Sequence, residues 1–250
     1  MPRKPAKKTP RIDRFDLRPG RRIGPHYEVI QCLGRGIEGE VYQIQETATG
    51  IHRAAKLYFP HRNPKNRYTI WYARKITALR HCPIVLQYHH TEYVTVHKQK
   101  VLCLISELAE GEQLEGWIAR HRGKRLDAFR ALHVLYHLVR GLEAVHAVGE
   151  YHADVHSQNI LIRPAGVGFN IKLVDFYDWG KPTRYKQHQD IMDCIRVFHE
   201  CLGGVKHYSK QPPEVREICK GLQRKRVLKQ FPTMTVLRRH LESFEWKTML

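Results

Sequence analysis

Apolar and polar residues alternate through HYEVIQCLG (26–34) and EVYQIQETATG (40–50), on either side of a glycine cluster. IHRAAKLYF (51–59) follows the turn pair Thr49-Gly50, so the three segments predict three antiparallel strands. RYTIWYARKITALRH (67–81) changes to helical spacing, with Ile70, Ala73, Ile76 and Leu79 as its apolar stripe. It leads into EYVTVHKQKVLCLISEL (92–108), a hairpin with Lys98-Gln99 near its turn. A small sheet with one helix thus accounts for residues 23–107. From Leu114 the period is helical again, in LEGWIARHRG and then in DAFRALHVLYHLVRGLEAVHAVG (127–149). Two short strand-like runs, NILIRP and NIKLVDF, bracket a glycine-rich turn at Ala165 to Gly168. The expected class is α+β, with an antiparallel sheet first and a mainly helical region over about 108–250.

Bulk properties narrow the setting. A 250-residue chain with 42% hydrophobic residues in regular segments has enough material for a sizeable core and is not a disordered polypeptide. No apolar run approaches the length of a membrane span, so no transmembrane segment is expected. The basic, proline-containing start lacks the apolar stretch of a secretory leader, and a cytoplasmic location follows as the expectation. Six cysteines, Cys32, Cys82, Cys103, Cys194, Cys201 and Cys219, lie in apolar surroundings without a CxxC pair, which predicts buried reduced thiols. Net charge is +19, and residues 1–22 hold nine Lys/Arg against Asp13 and Asp16. This stretch reads as a basic arm ahead of a domain at 23–250, either solvated and disordered or docking to an acidic partner, nucleic acid or anionic membrane.

Three features carry candidate chemistry. GRGIEGEV places Gly34, Gly36, Gly39 and Val41 between two strands, where missing side chains let backbone amides approach phosphates. A dinucleotide-binding fold has a similar glycine spacing but needs a helix straight afterwards, and VYQIQ continues as strand. Lys56 sits in AAKLY on the third strand. HADVHSQN (152–159) and LVDF (173–176) then bring Asp154, Asn159 and Asp175, hard oxygen donors suited to proton transfer and to a divalent cation.

HADVHSQNILI followed by LVDF resembles the catalytic loop and metal-binding segment of the protein-kinase superfamily. The resemblance runs from His26 to Trp246 through HCPIVLQY, ISELAEGEQL, GLEAVHAVGEYH, DIMDCIRVFHECLGG and TMTVLRRHLESF. It implies a bilobal fold, with an N-lobe at about 23–107 and a C-lobe at about 108–250. It also implies a phosphotransferase moving the γ-phosphate of Mg-ATP to a hydroxyl. By resemblance, Asp154 is the base, while Lys56 and His156 act on the phosphates. Asn159 and Asp175 hold Mg²⁺, and the glycine loop covers the phosphates. Val41, Ala54 and the backbone from Glu107 to Ala109 contact adenine next to the gatekeeper Ser106, and Asp190 braces the catalytic loop.

Departures from the pattern bear on the acceptor. The first helix should carry a glutamate paired with Lys56, yet no Asp or Glu occurs between Glu46 and Glu92, and the aligned position is Tyr72 or Ala73. Lys56 is then left to pair with Asp175, or the site is impaired. Ala153 replaces an arginine that reads activation-loop phosphorylation. His156 stands where protein kinases have lysine and several sugar and antibiotic kinases have histidine, tying turnover to pH. Tyr177 replaces a glycine. Only 14 residues separate Asp175 from Asp190, too few for a full peptide-cradling segment, and Phe231-Pro232-Thr233 lacks the arginine that anchors that segment. A protein Ser/Thr acceptor, including the chain itself, is the leading expectation. A small-molecule or glycan acceptor and a non-catalytic binding module are the alternatives.

Overall fold

A computed structural model describes residues 11–176 and 180–243. The chain divides into two compact units, one of Met1–Ala78 with Gln87–Leu108 and the other of Leu79–Leu86 with Ala109–Leu250. The division differs from the sequence reading in one respect. Leu79–Leu86, assigned to the sheet region, belongs to the helical unit: the Leu173 amide donates to the Ile84 carbonyl at 2.7 Å, and Val85 forms a parallel bridge with Leu173.

The first unit is a six-stranded antiparallel sheet of β1 (Arg22–Ile23), β2 (Tyr27–Arg35), β3 (Gly39–Glu46), β4 (His52–Tyr58), β5 (Tyr88–Val96) and β6 (Gln99–Glu107), in the order β1-β2-β3-β4-β6-β5. Period-2 alternation sends Tyr42, Ile44, Ala55, Leu57, Cys103 and Ile105 to one face, where they form a buried cluster with Val29, Val94 and Val101. The hairpin between β5 and β6 turns at His97 and Lys98, with φ of 48° and 63°. Two left-handed residues suit the twist of a two-residue connection, and they move the turn one residue ahead of Lys98-Gln99. Helix α1 (Arg67–Ala78) buries Tyr68, Thr69, Tyr72, Ala73 and Ile76, but Ile70 is 43% exposed. The buried stripe is therefore aromatic, centred on Tyr68 and Tyr72, and lies to one side of the aliphatic residue expected in it.

The arm boundary at residue 22 also changes. Residues 1–10 lie outside the described residues, but 11–22 pack against the sheet. Ile12 and Phe15 are buried in the cluster with Leu17 against it, and the Phe15 ring stacks on Phe59 at 5.1 Å. The Gly20 amide donates to Val29, and β1 pairs with β2. Apolar burial of these side chains outweighs the solvation of their basic neighbours, which point outward as Arg14 and Arg18 do.

The second unit comprises β7 (Glu112–Gln113), α2 (Leu114–Ala119), α3 (Ala128–Ala147), β8 (Ile160–Ala165), β9 (Gly168–Leu173), α4 (Arg184–Cys201), α5 (Val205–Tyr208), α6 (Pro213–Cys219), α7 (Arg224–Gln230) and α8 (Met234–Glu242). Asp127, Thr183 and Thr233 cap α3, α4 and α8, each accepting a backbone N–H three residues on. Gly141 lets α3 lie against Ile84, because a Cβ there would come within 2.4 Å of Ile84 Cδ1. The two expected strand runs form the β8–β9 hairpin, and β7, not anticipated, adds a third strand beside β8. Five cysteines are buried with thiols raised by that burial, Cys219 to about 12, whereas Cys32 is exposed, contrary to the expectation for all six. Among the described residues no helix is long and apolar enough to cross a membrane.

Candidate active site

In the first unit the sheet register gathers most of the residues singled out there. Val41 lies directly across from Lys56, Ala54 across from Ser106, and Arg53 across from Glu107. Alternation places Val41, Ala54, Lys56 and Ser106 on the face opposite the apolar cluster. The Glu107 amide donates to the Gln87 carbonyl at 2.9 Å, and the Glu107 carbonyl accepts the Ser106 hydroxyl at 3.2 Å. Ala109 opens the second unit.

The glycine loop is closed by the Gly36 amide donating to the Gly39 carbonyl at 2.9 Å. The three glycines differ in purpose. A Cβ at Gly39 would sit 2.0 Å from the Leu57 carbonyl oxygen, so the fold itself demands glycine there. A Cβ at Gly34 or Gly36 would meet no atom within 4 Å. Neither has a left-handed φ. Their missing side chains leave open space along the loop, which suits the approach of phosphate oxygens.

In the second unit the loop from His152 to Asn159 connects α3 to β8. Asp190 of α4 is fully buried and holds the loop from beneath: its carboxylate accepts the amides of His152 at 2.8 Å and Ala153 at 2.7 Å and contacts His146 Nε2 at 2.9 Å. Ala153 has φ +71°, a left-handed conformation that costs a non-glycine residue roughly 1–2 kcal/mol and needs such support. The buried His152 ring uses both nitrogens. Nε2 faces the Val174 carbonyl at 3.0 Å, and Nδ1 faces the Asp154 amide at 3.2 Å. A carbonyl only accepts and an amide only donates, so the ring is neutral with its proton on Nε2. Burial lowers its pKa in the same sense. The Phe176 ring lies 4.3 Å from it, and Ser157 donates to Glu200 at 2.8 Å.

Asp154 is thereby held at its backbone and left partly open at its carboxylate, 42% exposed. Asn159 Nδ2 donates to the Asp154 carbonyl and to Asp154 Oδ2, both at 3.1 Å. His156 Nε2 is 3.6 Å from the same Oδ2. The Val174 amide donates to the Asn159 carbonyl at 3.0 Å, which sets Asp175, with φ +61°, beside Asn159 at the mouth of the β8–β9 hairpin. The residues present fit a hard divalent cation. Asn159 has its amide nitrogen engaged and its oxygen left to ligate, and Asp175 adds a carboxylate. Among the described residues no cluster of three or more His, Cys, Asp or Glu suits a metal, so any cation here would take its other ligands from phosphate and water. Beyond Asp175, Tyr177 lies outside the described residues. Tyr151 donates to the Gly180 carbonyl at 2.6 Å, and α4 begins at Arg184.

Two groups escaped the sequence reading. Glu40, next to Gly39, is fully buried and accepts the amides of Phe15 and Asp16, the Tyr42 hydroxyl and Arg35 Nε at 2.7 Å. Arg35, inside the glycine loop, also meets Asp16 at 2.5 Å. Burial and then this carboxylate raise the Tyr42 phenol. The apolar beat of Ile12, Phe15 and Leu17 inside the basic arm was the available signal. The second is Tyr58, which with Tyr72, named in the sequence only as aligned with the missing glutamate, places a ring centroid near Lys56 Nζ, at 5.2 and 5.7 Å respectively.

The protein kinase domain family matches residues 27–212. The chain is 29% identical over 223 residues to the serine/threonine-protein kinase PknH of Mycobacterium bovis, covering 78% of this chain and 36% of that protein. It is 31% identical over 145 residues to the MAPK/MAK/MRK overlapping kinase of Homo sapiens, covering 55% of this chain and 32% of that protein. The chain thus spans about a third of the length of these curated relatives. In fold it is similar to the crystal structure of the Mycobacterium tuberculosis PknI kinase domain, with TM-score 0.64 and 19% identity over 90% of this chain and 96% of that one.

Proposed function

Because this chain belongs to the protein kinase family, we propose that it transfers the γ-phosphate of Mg-ATP to a hydroxyl of a protein serine or threonine, its own included. The observation that carries the reading is the braced loop. A fully buried carboxylate, Asp190, fixes the backbone of His152 and Ala153, so that Asp154 projects an accessible carboxylate next to Asn159 and His156.

In this reading Asp154 accepts the proton of the attacking hydroxyl, and its contact with Asn159 Nδ2 keeps the carboxylate aimed. Asn159 through its amide oxygen and Asp175 through its carboxylate would hold Mg²⁺, which when bound neutralises charge on the phosphates. His156 donates a hydrogen bond to the transferring group in place of an ammonium. Lys56 carries the other phosphate contacts, and the open space at Gly34 and Gly36 admits the phosphates beneath the loop. Val41, Ala54 and the Glu107 carbonyl, with the Ala109 amide, receive adenine.

The test is Asp154→Asn. Base catalysis by a positioned side chain contributes about 10² to 10⁴-fold, so this variant loses phosphate incorporation by that factor while Mg-ATP affinity stays within about twofold. Undiminished incorporation removes Asp154 from the role. A wild-type protein that neither binds nor turns over Mg-ATP leaves the chain a binding module.

One observation favours a compact acceptor as the second reading. Helix α4 starts at Arg184, so little chain follows Asp175 to cradle a peptide. Labelled ATP incubated with the protein and a cell lysate separates the two, since label follows either the protein or the small-molecule fraction.

A further inference from the structure

Helices α6 and α7 and the turn between them line a cavity of about 870 Å³ in the second unit, and its wall is basic. Arg216 and Lys220 come from α6 and its C-terminal end, Arg226 and Lys229 from α7. The one acidic residue in the wall, Glu217, is paired with Lys220. Arg216, Arg226 and Lys229 are exposed, and among the described residues no carboxylate meets them. The turn is held in one shape. Lys220, Gly221 and Leu222 are three consecutive left-handed residues, at φ 48°, 60° and 57°, a conformation that non-glycine residues keep only where their surroundings impose it. The Gly221 amide donates to the Tyr208 hydroxyl at 3.0 Å, and that hydroxyl donates to the Arg216 carbonyl at 2.9 Å, which ties the turn to α5 and α6.

We propose that this cavity is a docking site for an acidic peptide segment of a partner protein, whose carboxylates are received by Arg216, Arg226 and Lys229. Four basic side chains against one acidic one leave an excess of three positive charges in a concave wall. A cleft lined by one sign of charge focuses the field and raises the local concentration of ligands of the other sign. The volume falls in the range of about 300–1,000 Å³ that takes a drug-sized ligand, so it suits a few peptide side chains and not a nucleic-acid duplex. Single-stranded nucleic acid stacks its bases on aromatic rings. The one aromatic ring in the wall, Tyr208, lies 5.2 Å from His199 and has its hydroxyl engaged. A bilayer surface takes helices with an apolar face to insert, and apart from Tyr208, Pro213 and Gly221 this wall is polar. The site uses none of the residues assigned to nucleotide or phosphoryl transfer, and it stands independently of the kinase reading.

The experiment measures fluorescence anisotropy of a labelled peptide of alternating glutamate and serine, about ten residues long, with the whole chain and no nucleotide. Its glutamine analogue, an oligothymidylate of equal charge and vesicles containing phosphatidylserine serve as competitors. The glutamate peptide binds in the micromolar range, and the glutamine analogue binds at least about 10-fold more weakly. Replacing Arg216, Arg226 and Lys229 together by glutamine weakens peptide binding by about 10- to 50-fold. Replacing three exposed arginines of the first unit, Arg18, Arg62 and Arg74, removes the same net charge and weakens it by less than about threefold. The urea midpoint of the cavity triple stays at the wild-type value, because its three side chains face solvent. Lys229→Glu alone weakens binding by about fivefold or more and keeps the test open should the triple not fold.

Equal losses in the cavity triple and the control triple overturn the proposal, since net charge alone then explains the binding. A wild-type protein that does not bind the glutamate peptide overturns it as well. So does an oligothymidylate or a phosphatidylserine vesicle that binds more tightly than the peptide and loses its hold in the cavity triple, because the face then belongs to nucleic acid or to a membrane.

Discussion

Asp190→Ala takes the support away from the loop of His152 to Asn159 at its base. The carboxylate lies at zero exposure and accepts two backbone amides at 2.7 and 2.8 Å, with His146 Nε2 at 2.9 Å. Truncation orphans both amides, and an unsatisfied buried donor costs about 1–3 kcal/mol. The left-handed Ala153 also loses the bond that holds it, so roughly 1 kcal/mol of backbone strain becomes free to relax. The parts overlap, and the expected loss is about 3–5 kcal/mol, against typical domain stabilities of about 5–15 kcal/mol. Asp190→Asn retains one acceptor oxygen but turns an NH₂ toward the second amide, so its loss should be about half as large. Urea unfolding at pH 7.5 measures both. On the proposed kinase reading turnover adds an independent signature: Asp154 follows Ala153 directly, and a shift of about 1 Å in a catalytic group can cost about 10²-fold. Asp190→Asn, still folded, should therefore lose kcat far more than Mg-ATP affinity. The reasoning fails if Asp190→Asn leaves both the unfolding midpoint and kcat at wild-type values.

Three further outcomes follow from the same coordinates. Ala153→Gly removes left-handed strain at the cost of chain entropy and should stabilise by about 0.5–1 kcal/mol in urea unfolding; a loss of stability would show that the turn tolerates alanine without strain. Gly39→Ala forces a methyl against the Leu57 carbonyl and should lower stability by about 2–4 kcal/mol, whereas Gly36→Ala should leave the melting temperature unchanged and weaken nucleotide binding; equal melting temperatures for the two variants would undo that distinction. Burial lowers the pKa of His152, and of His137, His199 and His240, so below about pH 6.5 the unfolded chain takes up protons that the folded one refuses. Stability should therefore be full above that pH and fall as pH drops toward the folded values, by up to about 1.4 kcal/mol per unit from His152 alone; an urea midpoint that does not change from pH 7.5 to 5.5 would contradict this.

What was legible in the chain was local chemistry. The stretch from His152 to Asn159 and Asp175 could be singled out because its residues lie close in sequence, and alternation announced the three strands, but the pairs Val41–Lys56 and Ala54–Ser106 came only with the register of the sheet. Ile70 misled because helical spacing fits more than one stripe, and the burial of two tyrosines outranked one isoleucine. The stretch from Arg11 to Arg22 was hidden by charge: Ile12, Phe15 and Leu17 are too irregularly spaced, among too many arginines, to announce a packed segment. The rings beside Lys56 were half legible: Tyr72 stood among the positions aligned with the missing glutamate, whereas nothing in the sequence pointed to Tyr58.

The buried Glu40 gives the amino-terminal segment a thermodynamic stake in the glycine loop. Phe15 and Asp16 donate their amides to a carboxylate that also grips Arg35, and Arg35 reaches back to Asp16, so the segment and the loop open together or not at all. Linkage is reciprocal. A ligand that stills the glycine loop must slow hydrogen exchange at the amides of Phe15 and Asp16, which sit on the opposite side of the sheet from Lys56. A partner that pulls residues 11–16 away must loosen the ligand by the same factor. Those two amides are therefore built-in reporters of loop occupancy, readable without any label at the site.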